Sequence, residues 1–151
     1  IDGIAILQVQ GSGMIGVTGI AGRVFSSMAR AAINVILISQ ASSEHSICFG
    51  VAEADAAAAR QVLIEEFVLE INAHKIDDIG VERDLSIIAV VGEKMRQTPG
   101  IAGKIFTALG HHQVNVVACA QGSSELNVSF VVRSDESKRA LNAIHDTFFE
   151  K

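Results

Sequence analysis

The chain has 151 residues, of which 49% are apolar and 19% charged, with neither Trp nor Tyr and a formal net charge of −5. That apolar content excludes a disordered chain, and the acidic balance argues against a phosphate-backbone binder, which needs a basic face. Phe as the sole aromatic argues against a base-stacking platform, and the longest apolar runs, residues 33–38 (broken by Asn34) and 87–91, are far short of the ~20 residues that span a bilayer.

The chain opens on Ile1-Asp2-Gly3, without Met or a basic and apolar leader. We read it as a trimmed chain or a piece of a longer one, with no targeting segment and a cytoplasmic setting. Residues 4–9 predict a strand. A Gly-bearing loop follows, and then a helix that Thr18 can cap, with Ala21, Val24, Phe25 and Met28 on one stripe at i, i+3, i+4, i+7. Residues 33–39 predict a β-branched strand, residues 41–45 a polar turn, and residues 46–51 a third strand. A second helix is expected over about 55–67 and a fourth strand over 76–82. The order then restarts with a strand over 85–91 and a helix opened by Thr98 and Pro99. Its stripe is Ala102, Ile105, Phe106 and Leu109. Strands over 114–120 and 127–132 flank a turn at 122–125, and a last helix over 135–148 buries Leu141, Ile144 and Phe148, capped by Ser134 or Asp135.

The restart is a repeat. Residues 19–51 align without a gap on residues 100–132, an offset of 100 − 19 = 81. Identical pairs include Gly19/Gly100, Ile20/Ile101, Phe25/Phe106, Asn34/Asn115, Gln40/Gln121, Glu44/Glu125 and Phe49/Phe130, and the match reaches from Gly11/Gly92 to Phe67/Phe148. A turn of about five residues between the second and third strands closes only an antiparallel hairpin, because a parallel crossover needs a dozen residues or more. The fold class is therefore α+β, two ferredoxin-like β-α-β-β-α-β units with antiparallel sheets. We place the units at 1–82 and 83–151. The second runs out before a fourth strand, so its sheet edge needs another cover.

Few residues suggest chemistry. Cys48 and Cys119 sit in apolar runs without metal spacing and read as buried thiols. The five His show no ligand spacing, and His111-His112 reads as a solvated helix end. Gly11-Ser12-Gly13-Met14-Ile15-Gly16 spells the dinucleotide fingerprint G-x-G-x-x-G. However, no acidic residue ends the second strand, and the matching loop, Gly92-Glu93-Lys94-Met95-Arg96-Gln97, keeps only its first Gly. We read these glycines as letting backbone N–H groups approach a small carboxylate. Glu65-Glu66, Asp77-Asp78 and Glu53/Asp55 read as solvated faces, and Ser42-Ser43-Glu44 and Ser123-Ser124-Glu125 as turn residues. No catalytic set emerges.

The segments GMIGVTGIAGRVF and INVILISQASSEHSICF, followed by LSIIAVVGEKMRQTPGIAGKIF and VNVVACAQGSSELNVSFVV, resemble the two ACT repeats of aspartate kinases, over nearly the whole chain. The Q-x-S-S-E and Q-G-S-S-E turns resemble the threonine-sensitive group, which includes bifunctional aspartokinase–homoserine dehydrogenases. The resemblance implies a regulatory pair that binds an end-product amino acid at a dimer interface and inhibits the kinase. Threonine is the expected effector, with lysine as the alternative. It also implies no catalytic residues and no cofactor in this chain, since ATP and Mg belong to the kinase domain. The expected partners are that domain, a second copy of the chain and the effector, with no nucleic acid and no membrane. The family's effector pocket falls on Met14, Gly16, Gly19, Ile20, Ala21, Asn34, Val35, Ile36 and Gln40, and in the second copy on Gly100, Ile101, Asn115, Val116 and Gln121. Backbone N–H groups at the helix starts would hold the α-carboxylate, and the Asn and Gln amides would meet the ligand's polar ends. Glu93-Lys94 and His111-His112 depart from the family pattern, which weakens the second site. The resemblance further implies that a segment upstream of the first repeat supplies the second unit's missing strand. Two other readings stand beside this one. One is a dimerisation module whose sites have decayed. The other is an enzyme on the same fold, which would need an anion cradle that Arg23, inside a helix, does not provide.

Overall fold

The computed structural model describes residues 1–14, 17–40, 46–92, 99–121 and 127–149. The chain divides into two units, Gly3–Asp84 and Leu85–Lys151, the latter joined by Ile1–Asp2.

In the first unit β1 (Ile4–Gln10) leads through a 3-10 turn at Ser12–Met14 to α1 (Ile20–Arg30). Then come β2 (Leu37–Gln40), β3 (Ser46–Ala52), α2 (Ala56–Glu66), α3 (Val68–Asn72) and the start of β4 (Gly80–Val91). The strand order is β2-β3-β1-β4, with Leu7 opposite Phe49 and Ile38 opposite Phe49 in antiparallel ladders. Side chains alternate along a strand, so Ala5, Leu7 and Val9 of β1 enter one core with Val24 and Met28 of α1 and Leu63 of α2. Phe49 is fully buried there, edge-on to Phe25 with ring centroids 5.8 Å apart.

The second unit repeats the plan with the end of β4, α4 (Ile101–His111), β5 (Ala118–Gln121), β6 (Asn127–Arg133) and α5 (Ser137–Phe149). Ile88 lies opposite Phe130, and Cys119 opposite Phe130, again antiparallel. Its core holds Ile88, Ile105, Leu109, Val128, Phe130, Ala140 and Ile144. Ile1 covers the edge that the sequence left open. Its nitrogen donates to the Ile87 carbonyl and the Ile87 N–H donates back to the Ile1 carbonyl, both at 2.8 Å. A two-way exchange of this kind is one rung of an antiparallel ladder, and Asp2 adds a 2.7 Å bond from the Ser86 hydroxyl. Ile1 thus forms one rung against this edge of β4.

Several expectations shift. Both first helices begin one residue after a glycine in the left-handed region, Gly19 at φ 87° and Gly100 at φ 84°, with no side-chain cap. Thr18 is therefore not the cap, and Thr98 lies outside the described residues. The strands expected over 33–39 and 114–120 start later, at Leu37 and Ala118. Their first residues instead complete Schellman ends on the preceding helices. In α1 the Ile33 N–H reaches the Met28 carbonyl and Ala32 takes φ 57°. In α4 the Val114 N–H reaches the Leu109 carbonyl and Gln113 takes φ 56°. The strands expected over 76–82 and 85–91 are one strand, β4, with Asp84 left-handed inside it at φ 59°. Leu141 is exposed, because α5 buries Ala140, Ala143 and Ile144. The turns at 41–45 and 122–125 lie outside the described residues.

Candidate effector corner

In the first unit the corner begins where β1 ends. Gly11 and Gly13 are required there, though not by a ligand. A Cβ on Gly11 would lie 2.2 Å from the Lys75 carbonyl oxygen and 2.7 Å from the Ile76 Cα, and one on Gly13 would lie 2.5 Å from the Lys75 Cβ. The Gly13 N–H donates to the Lys75 carbonyl at 3.0 Å and the Met14 N–H to the Gly11 carbonyl at 3.1 Å. The Gly13 and Met14 amides are therefore bonded within the chain and not open to a carboxylate, contrary to the expectation for Gly13.

The free donors lie at the helix starts. The Arg23 N–H bonds the Gly19 carbonyl at 3.0 Å and the Lys104 N–H bonds the Gly100 carbonyl at 2.9 Å. The three amides before each of these precede the first intrahelical bond. They carry the positive end of the helix dipole, and the N-cap glycine puts no side chain over them. Among the described residues a Cβ on Gly19, Gly22, Gly100 or Gly103 would meet nothing within 4 Å, so those residues leave the space beside both first turns open. A carboxylate is the ligand this arrangement suits.

The remaining expected residues divide by burial. Met14 and Ile20 are core residues, 4% and 6% exposed, and Ala21 and Val35 pack against the same cluster. In the second unit Ile101 and Val116 pack against its core. Asn34 and Asn115 are exposed, each two residues beyond a left-handed position. The segments that follow are pinned in the same way in both units, by Ile36 N–H to the Gly50 carbonyl and by Val117 N–H to the Val131 carbonyl, each at 2.8 Å. The Asn115 N–H faces a Glu136 carboxylate oxygen at a long 3.4 Å. Gly16 lies outside the described residues, as do the side chains of Gln40 and Gln121, whose backbones end β2 and β5.

Sequence reasoning missed an ion cluster beside the first corner. Arg23 donates through Nε to Glu66 Oε1 at 3.0 Å, through Nη2 to the Glu66 carbonyl at 2.9 Å and through Nη1 to Glu70 Oε1. Its guanidinium lies 4.5 Å above the Phe67 ring, and Arg30 adds a 3.2 Å contact to Glu66. Glu66 is therefore not a plain solvated face. The i, i+4 spacing of Glu66 and Glu70 was the available signal, since it sets two carboxylates on one side of a helical stretch. The hydrogen bond from Arg23 holds the Glu70 carboxyl below its ordinary range. A carboxyl depressed on folding stabilises fully above its unfolded pKa of about 4.3, and that contribution is lost as pH falls through the lower folded value. Acid titration of the melting temperature should therefore show a loss beginning below about pH 4.3 that is smaller in Glu70→Gln. Identical acid profiles would remove the ion pair from the account.

The thiols are more open than expected, Cys48 half-buried and Cys119 exposed. Burial pushes the Cys48 thiol pKa up. His112 Nδ1 lies 2.9 Å from the Ala108 carbonyl at the end of α4. Among the described residues no group of His, Cys, Asp and Glu could hold a metal ion, and no helix is long and apolar enough to cross a membrane.

Comparison with known proteins agrees with this plan. The ACT-domain family profile matches residues 7–67 and 88–148. The chain is 47% identical over 149 residues to a bifunctional aspartokinase/homoserine dehydrogenase of Haemophilus influenzae, covering 99% of this chain and 18% of the relative. It thus spans less than a fifth of that relative's length. Among solved structures, Clostridium acetobutylicum aspartate kinase superposes with a TM-score of 0.83 at 22% identity, covering 97% of this chain and 33% of that one. Aspartokinase III of E. coli, solved in complex with lysine and aspartate, superposes with a TM-score of 0.73 at 22% identity, covering 99% and 32%. At these identities the structures speak for the fold. With the family profile on both halves, and the same glycine-opened helix in each, the chain belongs to the ACT-domain family as a tandem pair.

Proposed function

We propose that this tandem pair is the regulatory module of an aspartate kinase, and that it binds an end-product amino acid whose occupancy inhibits the kinase. The observation that carries the reading is the repeated helix start at Gly19 and Gly100, side-chain-free and open. The likeness to bifunctional aspartokinase/homoserine dehydrogenases over 99% of the chain supports the choice of enzyme. The amides after Gly19 and Gly100 take the α-carboxylate. Asn34, Asn115, Gln40 and Gln121 meet the amine or hydroxyl, and Met14, Ile20, Ala21, Val35, Ile36, Ile101 and Val116 shape the apolar side. Threonine is the proposed effector, and lysine, which is bound in the E. coli structure, is the alternative. The kinase domain that would hold ATP and Mg, and a homoserine dehydrogenase domain beyond it, are the proposed neighbours in the parent chain. Self-association through the ACT units is the proposed assembly. Coupling of about 1–3 kcal/mol between effector and kinase conformations is enough for strong inhibition.

Threonine at a hundredfold excess over its dissociation constant should stabilise the chain by about 2.7 kcal/mol through mass action. Calorimetric titration and thermal melts with threonine and lysine read this directly. A response to lysine alone reassigns the effector. A flat response to both, with an intact dimer by sedimentation, leaves a dimerisation module.

A further inference from the structure

We infer that Arg23 and Glu70 are positioning residues for the first unit's effector corner, joining helix α1 to the glycine loop through the segment 66–76. The inference rests on the reading above that this corner binds an amino acid. The link can be followed bond by bond. Arg23 lies in the first turn of α1, where its own N–H closes the first intrahelical bond onto Gly19. Its guanidinium bonds the Glu70 carboxylate, the Glu66 carboxylate and the Glu66 carbonyl. Glu70 then faces the other way with its backbone. Its carbonyl accepts the Lys75 N–H at 2.9 Å and the Ile76 N–H at 3.2 Å, in a helix end turned by His74 at φ 59°. The Lys75 carbonyl accepts the Gly13 N–H at 3.0 Å. One residue, Glu70, therefore holds both walls of the corner, the helix start through its side chain and the loop through its main chain.

Two further observations bear on this link. Glu70 Oε2 is shielded from solvent without a hydrogen-bond partner among the described residues, so the bond from Arg23, itself 39% exposed, falls on Oε1 alone. Lys104 and Thr147 stand at the repeat positions of Arg23 and Glu66, and together with Gly103, Thr107, Ala108 and His111 they line a groove of about 430 Å³ between α4 and α5. The corresponding space beside α1 holds the Arg23 cluster.

The experiment uses Arg23→Met and Glu70→Gln, alone and together. Arg60→Met is the control, because Arg60 has the same side-chain exposure as Arg23 and ties α2 to Asp78 and the Ile79 carbonyl, outside the 66–76 segment. Hydrogen exchange of the Gly13 amide is read without any ligand, and threonine affinity is read by calorimetry. Each clamp variant should speed Gly13 exchange and weaken threonine by about tenfold, the scale of a lost charge-assisted hydrogen bond. The double variant should be no worse than the worse single, since both cut one link. Arg60→Met should lower the melting temperature and leave both readouts unchanged. Unaltered Gly13 exchange in Arg23→Met, or an equal effect from Arg60→Met, overturns the inference. Altered Gly13 exchange in a chain that binds no amino acid supports the link and removes the effector reading instead. Normal threonine affinity in both clamp variants removes the positioning role.

Discussion

Replacing Phe49 with alanine is expected to cost about 3–5 kcal/mol, the range for truncating a fully buried aromatic whose cavity cannot collapse. Phe49 is 0% exposed, lies in the ladders to both β1 and β2, and meets Phe25 edge to face. It is therefore enclosed by two neighbouring strands and a helix, so that no single element can move in to fill the void. A unit of this size buries little core to begin with, and whole-domain stabilities of about 5–15 kcal/mol leave a small margin. Denaturant unfolding monitored by circular dichroism measures the loss. A cost below about 1.5 kcal/mol, typical of volume-conserving swaps, would mean that the site repacks and that the buried Phe is not the centre of this core.

The second large effect is expected at Gly11. Alanine there drives a methyl into the Lys75 carbonyl and the Ile76 Cα. Both are backbone atoms, which cannot turn aside as a flexible side chain would. Overpacking of this kind costs about 1–3 kcal/mol, and relief comes by separating the loop from the 75–76 segment. That would break the Gly13 N–H bond to Lys75 and loosen the corner. Gly11→Ala should therefore lower both unfolding free energy and threonine affinity. Gly22→Ala supplies the contrast. Its Cβ enters open space within α1, and removing a helical glycine should raise stability by about 0.5–1 kcal/mol. If the two alanines behave alike in denaturation, the contact with Lys75 is not what demands Gly11.

Much of the fold was legible because it rests on local rules. The stripe through Val24 and Met28 reports which face of the helix is buried, and it entered the core as read. The five-residue turns allow only antiparallel pairing, and the ladders of β2 with β3 and β5 with β6 are antiparallel. The errors arose where distant chain segments decide. Thr18 has the chemistry of an N-cap, yet the left-handed turn at Gly19 starts the helix one residue further on. Leu141 fits a stripe, but α5 is rotated so that Ala140, Ala143 and Ile144 face the strands. Ile33 is β-branched but completes the Schellman end of α1 instead of starting the strand.

The site was legible in part for the same reason. The repeat of Gly19 with Gly100 and of Asn34 with Asn115 marks places under a shared geometric demand, and in both units the glycine opens the first helix. The role of Gly13 was misread, because its contact with Lys75 spans more than sixty residues of chain and leaves no periodic trace. Arg23 was set aside as a helix residue, because the carboxylates it binds lie 43 and 47 residues away. The sequence by itself thus determined what repetition and periodicity encode: two α+β units, their antiparallel hairpins, their core faces and the family they belong to. Tertiary structure alone decided which backbone amides are already occupied, which glycines are demanded by close approach, and which charges meet across the fold. Those properties depend on distances between segments, and a linear pattern holds no record of distance.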